Sequence, residues 1–252
     1  MKKLVTSALL VMMLACFSAS AMAGEQAEEG NWDFNLAPLY VWMVNMDGNM
    51  VAKGKDTPVN VDFGTLFDNL EAIFTAHFEA WRENKIGLVF DYSYTELGTS
   101  GAAGPISLKI DFASTLVEGL AMYRFANNQH NFDILGGVRY SKLEPDITLI
   151  VPPLGTFSKT QDWVDPIVGV RYIYDFGNKW KFSARGDLGG FGVGCDFTWN
   201  VSALVHFQPW KNVAIVGGYR VLDQDYETGS GDDKFIYDMR YAGPVVGLNI
   251  VW

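Results

Sequence analysis

The sequence predicts an all-β fold: a closed antiparallel transmembrane β-barrel of ten strands, with eight or twelve also compatible. Three observations predict it. Long stretches of the 252 residues alternate apolar and polar side chains. That is the period of a strand; apolar positions on a helix recur every three to four residues. The connections between these stretches divide into a short set and a long set, as the two rims of a membrane barrel do. Beyond the first 23 residues, no stretch approaches the roughly 20 apolar residues of a membrane helix.

The chain opens as an export signal. Lys2 and Lys3 precede an apolar run from Leu4 to Leu14, and Ala21-Met22-Ala23 supplies a small-residue cleavage site. The expected organisation is therefore a signal peptide over 1–23 and one barrel domain over 24–252. Cleavage removes Lys2, Lys3 and no acid, leaving 17 basic against 29 acidic residues. Such a balance repels phosphate backbones and excludes nucleic acid as a partner. Of the two cysteines only Cys195 would remain, so no internal disulfide is available.

The strands are expected at 32–45, 71–83, 85–97, 106–125, 130–144, 158–176, 179–190, 195–208, 212–226 and 233–252. In the first, Trp32, Phe34, Leu36, Pro38, Tyr40 and Trp42 alternate with Asp33, Asn35, Ala37, Leu39 and Val41. In the loop that follows, over 46–70, Phe63, Leu66, Phe67 and Leu70 recur at helical spacing behind Asp62, a possible N-cap. The third strand alternates Ile86, Leu88, Phe90, Tyr92 and Tyr94 with Gly87, Val89, Asp91 and Ser93. The seventh sets Trp180, Phe182, Ala184 and Leu188 against Lys181, Ser183, Arg185 and Asp187. Gly189 to Gly194 reads as a tight hairpin, because a phosphate-cradling loop needs a following helix and a Trp-containing strand follows instead. The eighth strand sets Trp199, Val201, Ala203, Val205 and Phe207 against Thr198, Asn200, Ser202 and His206. The last ends on Val246, Leu248, Ile250 and Trp252, with Gly247 and Asn249 on the other face. Pro38, Pro166 and Pro244 interrupt strands and call for bulges or strand ends.

Short connections at 83–84, 126–129, 177–178 and 209–211 are rich in turn formers. The longer ones lie at 46–70, 98–105, 145–157 and 227–232. The short set is expected at the periplasmic rim, with both termini, and Trp32, Trp42, Tyr92, Tyr94, Trp180, Trp199 and Tyr219 in aromatic girdles at the lipid boundaries.

Turning the aromatic faces outward places charge inward. The expected lumen network is Glu79, Asp91, Glu118, Arg124, Arg139, Asp165, Arg171, Arg185, Asp187 and Arg220, with Asp33, His77, Asp133, Lys181 and His206 on the same inner face. An Arg or Lys facing lipid near the midplane would cost about 2–4 kcal/mol, which forces this assignment if the barrel exists. Eight strands are just filled by their own side chains and open pores take about 16, so ten strands suit either an ion-paired plug or a narrow water-lined channel.

Catalytic chemistry is weakly represented. Asp223 and Asp225 form an acidic pair near the rim, as omptin proteases have, but no Asp-x-His partner accompanies them. Ser202 and His206 lie about 13 Å apart by strand rise, too far for direct activation. The scattered histidines lack metal-ligand spacing, so no metal or cofactor is expected.

The run Ala184-Arg-Gly-Asp-Leu-Gly-Gly-Phe-Gly-Val-Gly-Cys-Asp-Phe-Thr-Trp199, with Trp163-Val-Asp-Pro166 and Gly218-Tyr-Arg-Val-Leu-Asp-Gln-Asp-Tyr226, resembles an uncharacterised family of small bacterial outer-membrane β-barrel proteins. The resemblance implies a monomeric barrel and brings no catalytic residues. The expected function is thus a non-enzymatic Gram-negative outer-membrane barrel, porin-like in being a narrow passive channel for small solutes. Its partners would be outer-membrane lipid and lipopolysaccharide, and the barrel-assembly machinery through the strand ending at Trp252. A rim-active enzyme (a protease or a lipid A modifier) and a surface receptor or adhesin are the alternatives.

Overall fold

The computed structural model describes residues 32–52, 54–103, 106–151 and 155–252. The signal segment expected over 1–23 lies outside them, as does part of the loop expected over 145–157. Among the described residues there are thirteen strands: β1 Trp32–Trp42, β2 Asn45–Ala52, β3 Lys55–Val61, β4 Leu70–Arg82, β5 Ile86–Ala103, β6 Ile106–Asn127, β7 His130–Val151, β8 Gly155–Ser158, β9 Gln161–Gly177, β10 Trp180–Gly190, β11 Phe197–Trp210, β12 Val213–Thr228 and β13 Phe235–Val251. A short α-helix, α1, covers Phe63–Asp68. Ten strands form the wall in the order β1-β4-β5-β6-β7-β9-β10-β11-β12-β13, and β1 pairs back onto β13 to close the barrel.

The remaining three strands belong to the long-loop rim. β2 continues the line of β1 along β13 and turns into β3, and β8 folds back on the end of β7. Three of the expected loops, 46–70, 98–105 and 145–157, are therefore largely strand. Pairing of β5 with β6 persists to Ala103–Ile106, across most of 98–105. Segment 46–70 holds the β2–β3 hairpin and α1. Side chains that read as loop are here strand residues, because a hairpin beyond the bilayer needs no apolar face.

The short turns are tight and left-handed. Glu83 and Asn84 have φ of 55° and 50°, and Asn128 and Asn178 lie in the same region, the twist-matched geometry of two-residue hairpins. At the opposite rim Gly190 and Gly192 take φ of 85° and 74° around Phe191, so the glycine-rich run is a hairpin, as expected.

Alternation survives in most strands. Leu88, Val138, Val168, Val201, Val246 and Leu248 are exposed on the outer wall, in a band edged by Tyr123, Phe125, Phe132, Phe176 and Trp180 toward the short turns. One strand departs from the expected faces. Between Leu36 and Leu39 the β1–β13 register slips, at Pro38, which can donate no ladder hydrogen bond. Beyond the bulge the faces invert: Leu39 is exposed, while Tyr40 and Trp42 turn into the lumen. Trp42 is therefore not a girdle residue.

Candidate functional site in the lumen

The inner wall is layered along the barrel axis. Nearest the short turns is a polar vestibule of about 410 Å³, reached by Asp33, Lys181, His206 and Asn249. Above it sits a first ion-paired group. Arg171 pairs with Glu79 at 2.6 Å and with Asp133 at 3.0 Å. Arg124 pairs with the same Asp133 at 2.7 Å and stacks over the Trp81 ring at 3.8 Å. Trp81 Nε1 donates to Glu79 Oε2 at 2.7 Å. His77 bridges Glu79 and Asp91, at 3.0 and 2.6 Å.

A second group closes the waist. Arg139, with no solvent exposure, donates Nε–H to Glu118 and Nη2–H to Asp187, each at 2.8 Å, and Nη1–H to Thr198 Oγ1 at 3.2 Å. Arg185 pairs with Glu118 at 3.0 Å and Asp187 at 2.8 Å. Arg220 reaches Glu118 at 2.9 Å and donates Nε to Asn200 Oδ1 at 2.8 Å. Asn200 in turn donates to Asp187 Oδ2 at 2.8 Å. Five strands, β6, β7, β10, β11 and β12, thus converge on one centre. Removing water from these charges is costly, and it is offset only because each guanidinium meets several well-placed acceptors.

Nine of the ten expected network residues join these two groups. The exception is Asp165, which is fully buried and stands opposite Arg139 in the β7–β9 register. Its Oδ1 instead accepts the Cys195 backbone N–H at 2.6 Å, capping the 191–196 turn. A Cβ at Gly194 would come within 2.6 Å of that oxygen. The acidic pair lies near the long-loop end of β12. Asp223 and Asp225 alternate with the buried Leu222, Gln224 and Tyr226 and face outward. Asp223 accepts Arg240 Nε at 2.8 Å, and Asp225 stands across the ladder from Asp238. Ser202 and His206 do not meet; His206 Nε2 contacts Ser183 Oγ at 2.9 Å on the neighbouring strand. Among the described residues, no cluster of His, Cys, Asp and Glu is arranged to hold a metal ion.

Above the waist the wall changes character. Leu143, Trp163, Cys195, Tyr226, Phe235, Tyr237 and Met239 pack into an apolar cluster at one side, with Trp163 stacked on Tyr226 at 4.2 Å. The other side is hollow: a cup of about 360 Å³ whose lining includes Trp42, Ile73, Phe112, Leu116 and Leu222, with α1 at its mouth. The cup shares no lining residue with the vestibule below. The partition carries Trp42, whose Nε1 donates to the Arg220 carbonyl at 3.2 Å and whose ring lies under the Arg220 guanidinium at 4.8 Å. Tyr40 completes it, its carbonyl accepting the Thr75 hydroxyl. Sequence missed Tyr40 and Trp42 because strict alternation was carried across Pro38. The proline itself was the available signal.

A closed ten-stranded antiparallel wall with an apolar outer band and a charged interior defines the class, a β-barrel of the bacterial outer-membrane type. No family model and no curated protein matches the chain. Among solved structures it is similar to the outer-membrane protease OmpT of Escherichia coli, with 8% identity, 91% of this chain and 99% of that one covered, and a TM-score of 0.60. The translocator domain of the autotransporter NalP from Neisseria meningitidis matches at 11% identity, 97% of each chain and a TM-score of 0.44. Ail of Yersinia pestis matches at 13% identity, 88% and 99% coverage and 0.41. At 8% identity the likeness to OmpT is one of fold alone.

Proposed function

We propose that this chain is a non-enzymatic outer-membrane barrel whose lumen is shut at rest. In this reading the long-loop rim faces the cell surface and both termini face the periplasm. The observation that carries it is Arg139, unexposed at the waist and held between Glu118 and Asp187. A group that must stay paired to remain buried acts as a fixed plug more readily than as the lining of a wet pore. A narrow passive channel would require the Tyr40–Trp42–Arg220 partition to open, joining cup to vestibule.

The non-enzymatic assignment is supported by the outward placement of Asp223 and Asp225, where Arg240 rather than a histidine is the partner of Asp223. Lipid and lipopolysaccharide would surround the exposed band, and β13, followed by Trp252, would be the segment read by the assembly machinery. The mature protein in a planar bilayer should show no steady conductance, whereas Arg139→Ala should leak. Steady conductance from the unaltered protein would overturn the closed reading. Turnover of lipid A or peptide, abolished by Asp223→Asn, would overturn the non-enzymatic one.

A further inference from the structure

We propose that the cup above the waist is a binding site for an uncharged, mainly hydrocarbon small molecule bearing a neutral polar group such as a hydroxyl or carbonyl. Four observations point to it. At about 360 Å³ the cup falls within the ~300–1,000 Å³ of small-molecule sites. Among the described residues no charged side chain lines it, although charged pairs fill the lumen immediately below. Ile73, on its wall, remains 39% exposed, apolar surface whose covering by a ligand is favourable. Thr95 and Ser114 face each other across the β5–β6 ladder on the same wall, and their hydroxyls are adjacent donors and acceptors for one neutral group.

The wall also decides the source. Hydrogen-bonded strands β4, β5, β6 and β7 separate the cup from the outer lipid band, so a bilayer chain has no lateral way in. The ligand is a free molecule that enters from the long-loop rim, past α1. A charged head group would lose its hydration at depth with no counter-charge to meet it, and is selected against. The site is independent of whether the waist ever conducts.

The test uses the mature protein in lipid nanodiscs and tritiated decan-1-ol in equilibrium dialysis, with empty nanodiscs subtracted. One saturable site per barrel is expected. Decanoate and decyltrimethylammonium, of the same chain length, should compete at least about tenfold more weakly, a difference of ~1.4 kcal/mol. Ser114→Trp and Ile73→Trp, which fill the cup, should each abolish saturable binding while the folded barrel is retained. Absence of a saturable component, equal competition by the charged analogues, or undiminished binding by a folded filled variant would each overturn the proposal. The charge-selectivity comparison uses the unaltered protein, and so decides even where neither variant folds.

Discussion

Arg139 makes three contacts that no other side chain could replace together: Nε to Glu118, Nη2 to Asp187 and Nη1 to Thr198. Its planar fork spans two carboxylates from different strands, where a lysine would offer one point charge. Arg139→Ala leaves Glu118 and Asp187 buried with fewer counter-charges, so a loss of about 3–5 kcal/mol is expected. Urea unfolding from phospholipid vesicles measures it, and Arg139→Lys should fall between the two. A loss below about 1 kcal/mol would mean that water enters the waist and solvates both acids. The participants in this network were legible in sequence, because a charge opposite a lipid-facing residue has only one place to go. The pairings were not. Asp165 and Asp187 both sit on the inner face, yet one caps a turn and the other meets Arg139. That distinction depends on the Cys195 N–H, in the turn after the neighbouring β10, reaching Asp165.

At the scale of elements, α1 was foreseen from Asp62 and the Phe63, Leu66, Phe67, Leu70 spacing, and the structure places it over the cup. Asp62 accepts the Thr65 N–H at 3.0 Å, and this bond holds its carboxyl below the ordinary aspartate range. Because the folded-state value is depressed, the cap's contribution is present above the ordinary aspartate value. It is lost as pH falls through the depressed one. Amide exchange at Thr65 and Leu66 should therefore accelerate in acid relative to the strand amides. Asp62→Asn, an N-cap that does not titrate, should remove that dependence; persistence of the acid effect in this variant would assign it to another group. The Pro38 bulge is the opposite case. Period-two alternation contains no marker of a register slip except the proline itself, and the slip moves Tyr40 and Trp42 from the lipid side to the lumen.

For the whole molecule, ten strands provide more lumen than side chains must fill, and the chain uses the surplus unevenly. A vestibule opens at its short-turn end, its middle is packed with charge and its upper part is half hollow. The outer wall was legible because lipid imposes one rule on every strand, whereas the cup gathers residues from nine elements that share no local pattern. The rule for the wall carries a depth dependence that can be measured. On β9, Asp162, Val164, Val168 and Val170 share the outer face, and Val168 is 55% exposed within the apolar band. Asp162 lies six residues nearer the long-loop rim. Val168→Arg should cost about 2–4 kcal/mol of stability in bilayers, because its guanidinium would enter hydrocarbon. Asp162→Arg, on the same face at the lipid–water boundary, should cost about 0–1 kcal/mol. Unfolding both variants in the same vesicles makes the comparison internal. Equal costs would mean that β9 does not cross lipid at the depth its exposed valines indicate, and the band would then need a protein partner rather than a bilayer to cover it.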